Sequence, residues 1–259
     1  MADATAGSAG QVVLITGAGA GIGRHYAHRF AAEGASIAVA DLDEAAAKRV
    51  ADEVVAGGGC ATYHAMDVAD EDAVTDAVAS AAKAFGGIDV LVNNAGIHLG
   101  EAQVPYTLAA LPRWRAVFEV NVLGALACAI ACRPFMLGRE NPSIINHSTM
   151  AAYGPTGAYG ASKLALNSLT LSLATEYGRD GIRVNGIAPG LVDSESAVAW
   201  MGDAGRAGLQ ESLVAAQAIR RPGRMADLAD VALFLASPRA SFVTGQTILV
   251  DGGATKRPA

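Results

Sequence analysis

Residues 11–34 read QVVLITGAGAGIGRHYAHRFAAEG, and the fold is decided here. QVVLIT is an uncharged, β-branched run, the composition of a strand covered on both faces. GIGRHYAHRFAAEG then takes up helical spacing and stops at Gly34. Between them TGAGAGIG (16–23) carries Gly17, Gly21 and Gly23, which let the main chain turn tightly where a strand becomes a helix. A helix starting there turns free N–H groups toward the strand end, and those groups attract anions such as a pyrophosphate. The spacing is GxxxGxG rather than GxGxxG, since Ile22 stands where the third glycine of the latter would fall.

Outward from this stretch the same alternation repeats. ASIAVAD precedes the Ala-rich helical DEAAAKRVADEVVAGGG, and ATYHAMDV precedes EDAVTDAVASAAKAFGG. IDVLVNNAG follows, then a long helical pattern through 110–138, the strand SIINH, a helix over about 157–179, the strand IRVNGIAP, and a closing strand QTILVDGG. Seven strands alternating with helices, and no Pro/Ser-rich linker, predict a single α/β domain over 1–259. Its expected form is a Rossmann-like, doubly wound, mostly parallel seven-stranded sheet with helices on both faces. The first ten residues are expected to be flexible, and 100–112 to be a surface excursion. Segment 193–222 breaks the rhythm after the sixth strand. Ligands bind beyond the carboxyl ends of such strands, so this segment is expected to be a substrate lid, with an ordinary helical pair as the alternative.

Composition narrows the function. With 52% hydrophobic and 17% charged residues the chain can bury a sizeable core, and a net charge of -6 offers no basic surface for nucleic acid. The N-terminus has no basic start with a long apolar stretch behind it, and no uncharged, unbroken apolar run reaches about 18 residues. A cytoplasmic protein without membrane partners is expected. Cys60, Cys128 and Cys132 lack companion ligands at metal-binding spacing and read as small apolar residues, so no metal is expected.

Asp41 ends the second strand, roughly twenty residues beyond the glycines, where a carboxylate binds both hydroxyls of an adenosine ribose. The same carboxylate repels a 2′-phosphate, and no Lys or Arg lies in the glycine loop or directly after Asp41. The cofactor expected is therefore NAD. Asp43 is better placed than Asp41 to cap the following helix. Asp67, ending the third strand, and Asn93, Asn94, Ala95 and Gly96, ending the fourth, fall on the same sheet edge and are expected to hold the adenine and the loop.

In order, TGAGAGIG, Asp67, NNAG, Asn121, YGASK, IRVNGIAPG and VTGQTILVDGG span about 11–253, and this ordered set resembles the short-chain dehydrogenase/reductase family. The resemblance implies a nicotinamide-dependent oxidoreductase of secondary alcohols and ketones, commonly a homotetramer. It implies Tyr159 as general acid/base, Lys163 as its neighbour and a ligand of the nicotinamide ribose, and Asn121 as holder of a water leading to Lys163. The spacing of four places Tyr159 and Lys163 on one helix face, and a nearby ammonium favours phenolate. The cofactor set is Gly17, Gly21, Ile22, Gly23, Asp41, Leu42, Asp67, Val68, Asn94, Ala95, Gly96, Tyr159 and Lys163, with Pro189, Gly190, Val192 and Ser194 around the nicotinamide. Ser194 stands where the family usually has threonine.

One position departs from the family. The orienting hydroxyl usually lies thirteen residues before the tyrosine, and here that residue is Asn146. Aligning on IINHST gives the role to Thr149; aligning on Tyr153–Gly154 gives it to Ser148. A deletion within a strand would turn every later side chain to the other face, which favours Thr149 over Ser148. Tyr153 has Gly157 four residues on, not lysine, and is expected to line the pocket or pack. His98, Leu99, Met150, Tyr153, Val192, Trp200 and Met201 suggest a mainly apolar pocket, with neither His98 nor His147 transferring protons. Alternatives to the dehydrogenase are a cofactor-binding scaffold or sensor without turnover, and an epimerase or lyase on the same frame.

Overall fold

The computed structural model describes residues 8, 10–102, 105–195, 197–198 and 208–255. In chain order its elements are β1 (Val12–Thr16), α1 (Gly21–Ala32), β2 (Ser36–Asp41), α2 (Glu44–Ala56), β3 (Cys60–Ala65), α3 (Glu71–Phe85) and β4 (Val90–Asn93). After these come α4 (Leu111–Phe118), α5 (Ala125–Met136), β5 (Ser143–His147), α6 (Gly157–Tyr177), β6 (Arg183–Pro189), α7 (Leu209–Ala216), α8 (Met225–Ala236) and β7 (Thr247–Val250). The strands form one seven-stranded sheet in the order β3-β2-β1-β4-β5-β6-β7. Every neighbouring pair is parallel, so the sheet is parallel throughout rather than mostly so.

Both faces of the sheet are covered by apolar layers. Along β1, Val13 and Ile15 point into one layer and Leu14 into the other, the two-residue period of a strand. Tyr26 and Phe30 of α1, Val50 and Val54 of α2, and Leu228 and Leu235 of α8 close the first layer. Val74 and Val78 of α3, Cys128, Cys132 and Met136 of α5, and Leu173 and Tyr177 of α6 close the second. Burial pushes the Cys128 thiol up to about 12, in keeping with an apolar role. Leu108–Met136 is long and apolar enough to cross a membrane by length and composition, but Val117, Cys128, Cys132 and Met136 along it are buried in the protein.

The winding reverses between β1 and β4, which opens a crevice above their carboxyl ends. Local chemistry sets what faces it. Asp43 caps α2, accepting the Ala46 N–H at 3.0 Å, so Asp41 is left to the sheet edge. β3 stops at Ala65, and Asp67 therefore lies two residues past the strand, where its carboxylate accepts the Ala69 N–H at 2.9 Å. Between α4 and α5 the chain makes a π-helical turn, Glu119–Gly124, with Asn121 buried inside it. The flexible start expected for the first ten residues falls mostly outside the described residues, as do Trp200 and Met201 and much of the expected lid.

Candidate active site

The crevice holds a cavity of about 370 Å³, lined by the start of α1, the segment after β4, the end of β5, α6 and the segment after β6. At the α1 end the three glycines act for different reasons. Gly21 has φ 54, borders the cavity, and a Cβ there would meet nothing within 4 Å. Gly17 has φ 62 and lies so close to the segment after β4 that a Cβ would stand 2.8 Å from the Ala95 Cα. A Cβ on Gly23 would strike the Gly17 carbonyl and the Asn94 amide. Ala20 offers no capping side chain and the first turn of α1 has no acidic residue, so the helix N-terminus meets the cavity unneutralised. That cradle fits a pyrophosphate.

Asn94 braces the loop, donating to the carbonyls of Thr16 at 3.0 Å and Gly17 at 2.9 Å. Asn93 instead bridges to Asn146 and to the Ala125 carbonyl inside the protein. The Asp41 carboxylate is oriented by N–H groups of Gly19 at 2.8 Å and Asp43 at 3.0 Å. Leu42 and Asp67 are exposed at this edge, and neither lines the cavity. Val68 is buried, packed so closely on Gly124 that a Cβ there would lie 2.8 Å from its side chain.

Tyr159, Lys163, Ser148 and Thr149 converge on the cavity from α6 and the end of β5. The two hydroxyls of the β5 end part company. Ser148 is buried and its Oγ donates to the Lys163 carbonyl at 3.4 Å. Thr149 Oγ1 accepts the Ala151 N–H at 3.2 Å and stands beside the Tyr159 phenol, which burial pushes up to about 12 and Thr149 pulls down to a lesser extent. Lys163 is buried as well, and its ammonium is held down at about 8 by desolvation. Its Nζ donates to the His147 carbonyl at 2.7 Å. The four-residue spacing predicts a lowered tyrosine, whereas burial holds the phenol above its ordinary value.

Asn121 reaches the same place by another route. Its Oδ1 accepts the Ile97 N–H at 2.7 Å, and its Nδ2 donates to the Ile97 carbonyl at 3.2 Å and to Ser162 Oγ at 3.0 Å. A Cβ on Gly96 would lie 2.9 Å from Asn121 Oδ1 and 3.3 Å from Lys163 Nζ, so Gly96 is the opening onto which both side chains face. Pro189, Gly190, Val192 and Ser194 line the cavity after β6. Gly190 is fixed by crowding, since a Cβ would stand 2.7 Å from the Asp251 Cα. Ser194 Oγ accepts the Ala197 N–H at 3.3 Å.

The expected apolar wall is corrected. Of its described members only His98 and Val192 line the cavity; Tyr153, in the turn Met150–Tyr153, is exposed, and its hydroxyl accepts from Asn167 at 3.1 Å. Glu101, His147 and Glu195 join the lining instead. Sequence reading also missed Arg49, whose guanidinium donates to the Gly19 carbonyl at 3.0 Å and stands beside the Asp41 edge. Eight residues separate Arg49 from Asp41, but two turns of α2 bring it back to the loop. Among the described residues no His, Cys, Asp and Glu group is arranged to hold a metal ion.

The arrangement has known counterparts. A family model described as enoyl-(acyl carrier protein) reductase matches residues 17–255. A probable short-chain type dehydrogenase/reductase of Bradyrhizobium diazoefficiens is 39% identical over 248 residues, covering 94% of this chain and 87% of the relative. The chain belongs to the short-chain dehydrogenase/reductase family. Meso-2,3-butanediol dehydrogenase of Serratia marcescens is 34% identical to this oxidoreductase, covering 95% of its chain and 94% of the relative. A structure of a 7α-hydroxysteroid dehydrogenase complexed with NADH and 7-oxo-glycochenodeoxycholic acid superposes at TM-score 0.89, with 33% identity and 98% of each chain covered.

Proposed function

We propose that this oxidoreductase transfers hydride between NAD(H) and a secondary alcohol or ketone, with Tyr159 as the general acid/base. The observation that carries the reading is the meeting of Thr149, Tyr159 and Lys163 in one cavity capped by the α1 N-terminus. When bound, the nicotinamide supplies the hydride acceptor or donor. The chain's own residues do the rest. Tyr159 moves the proton of the substrate oxygen, and its protonated resting state at neutral pH suits donation to a carbonyl. Thr149 orients that oxygen and, standing beside the phenol, eases the phenolate form needed for oxidation. Lys163 and Asn121 border Gly96, where they can hold the ribose and pass the proton outward.

Asp41 supports NAD over NADP, and the NADH complex of the hydroxysteroid dehydrogenase is consistent with that choice. A homo-oligomer is supported by apolar side chains left half exposed at seven-residue intervals: Leu123, Ile130 and Leu137 at α5, and Leu164 and Leu171 on α6. The test is NADH formation, followed by absorbance, with a panel of secondary alcohols. Turnover supports the reading; NAD binding without turnover across the panel, or product formed with no net NADH, overturns it.

A further inference from the structure

The reaction above leaves one polar wall of the cavity without a task. His98 sits on the segment leaving β4, and its ring centroid lies 6.0 Å from that of Tyr159, tilted by 50°. Glu101 lines the same cavity, and its carboxylate stands 3.6 Å from the Arg113 guanidinium. The Gly100 N–H points at His98 Nδ1 from 3.4 Å, which leaves the proton of a neutral imidazole on Nε2. Burial holds this imidazole below its ordinary value, with Glu101 opposing and Lys163 reinforcing the effect, so both charges are within its field. The wall therefore offers one N–H donor and one carboxylate acceptor. That pair matches a hydroxyl, which accepts and donates at once. Glu101 is largely exposed and keeps Arg113, but an apolar substrate surface pressed here would leave the His98 Nε2–H unpaired, at a cost in affinity.

We propose that His98 and Glu101 bind a second oxygen of the substrate, close to the reacting one, so that diols and hydroxyketones are preferred to simple alcohols, with vicinal diols as the probe. The inference rests on the dehydrogenase reading. Tyr159 holds the reacting oxygen, and with its ring centroid 6.0 Å from that of His98 the second oxygen is held on the same side of the cavity, close to the reacting carbon. In the oxidation the carbinol carbon gives a hydride to oxidised nicotinamide, and its hydroxyl gives a proton to Tyr159. The products are the ketone, reduced nicotinamide and one proton, and the neighbouring hydroxyl is unchanged.

Two substrate pairs of equal carbon skeleton test this: vicinal cyclohexanediol against cyclohexanol, and vicinal butanediol against secondary butanol, each with NAD. The diols are expected to show at least about tenfold higher kcat/KM, carried mainly by KM. In His98→Leu this diol-to-alcohol ratio is expected to fall about tenfold, and in His98→Gln, which keeps an N–H donor, to recover. Turnover of the simple alcohols as efficient as of the diols would overturn the inference and leave the dehydrogenase reading standing. A diol preference that survives His98→Leu would overturn the assignment of His98. No turnover of any alcohol would overturn the dehydrogenase reading and the inference with it.

Discussion

The ammonium of Lys163 donates at 2.7 Å to the main-chain carbonyl of His147, the last residue of β5. A helix and a strand are thereby joined at the point where Tyr159, one turn earlier on α6, enters the cavity. The contact gives the buried charge an acceptor and fixes where the lysine head sits.

That burial has a sign that can be measured. The folded state holds the Lys163 proton at about 8, below the ordinary 10.5, so the charged lysine opposes folding. The opposition is complete below pH 8 and is relieved as pH rises from 8 toward 10.5, because only the unfolded chain then keeps the proton. Lys163→Met should raise the unfolding free energy at neutral pH by up to about 3 kcal/mol, less whatever the unpaired His147 carbonyl costs. It should also flatten the pH dependence between those limits while abolishing turnover. Chemical denaturation at pH 7 and pH 10 checks it.

Thr149 and Ser148 are separable by substitution. Thr149 stands beside the phenol and eases its ionisation, whereas Ser148 bonds a main-chain carbonyl. Thr149→Ala is expected to lower kcat by about 10²- to 10³-fold, the loss typical of an orienting donor at a reacting oxygen. Ser148→Ala should keep turnover within a few-fold and cost about 1 kcal/mol of stability. Steady-state kinetics and thermal unfolding of the two variants make the comparison.

Cofactor choice should be reversible at the β2 edge. On the proposed NAD reading Asp41 would oppose a 2′-phosphate, and Arg49 rests on the adjacent Gly19 carbonyl. Asp41→Ser is expected to shift the NADP-to-NAD ratio of kcat/KM by about a hundredfold toward NADP, since a facing like charge costs several kcal/mol. Adding Arg49→Ala should take back much of the shift.

How far the site could be read from sequence follows from what side chains need. β1 was legible because a strand covered on both faces admits almost no polar residue, and the glycine loop because its turn excludes side chains. Asp41 was legible by its place at a strand end. The π turn at Asn121 was not, since one extra residue in a helical turn changes hydrogen bonding without changing composition. Arg49 was missed because adjacency in α2 runs by turns, not by neighbours. The direction of the Tyr159 shift was missed for a related reason. Spacing of four tells which side a lysine faces, but not that its head ends on the His147 carbonyl, nor how deeply the phenol is buried.

The most direct test of the proposed mechanism is Tyr159→Phe, measured for NADH formation with the best alcohol found and, separately, for NAD binding by calorimetry. The expected result is a loss of kcat of at least about 10²-fold with NAD affinity nearly unchanged, because the proton carrier is gone and the cradle at Gly17, Gly21 and Gly23 is intact. Turnover within a few-fold of the parent would contradict the assignment of Tyr159 and, with it, the proposed mechanism.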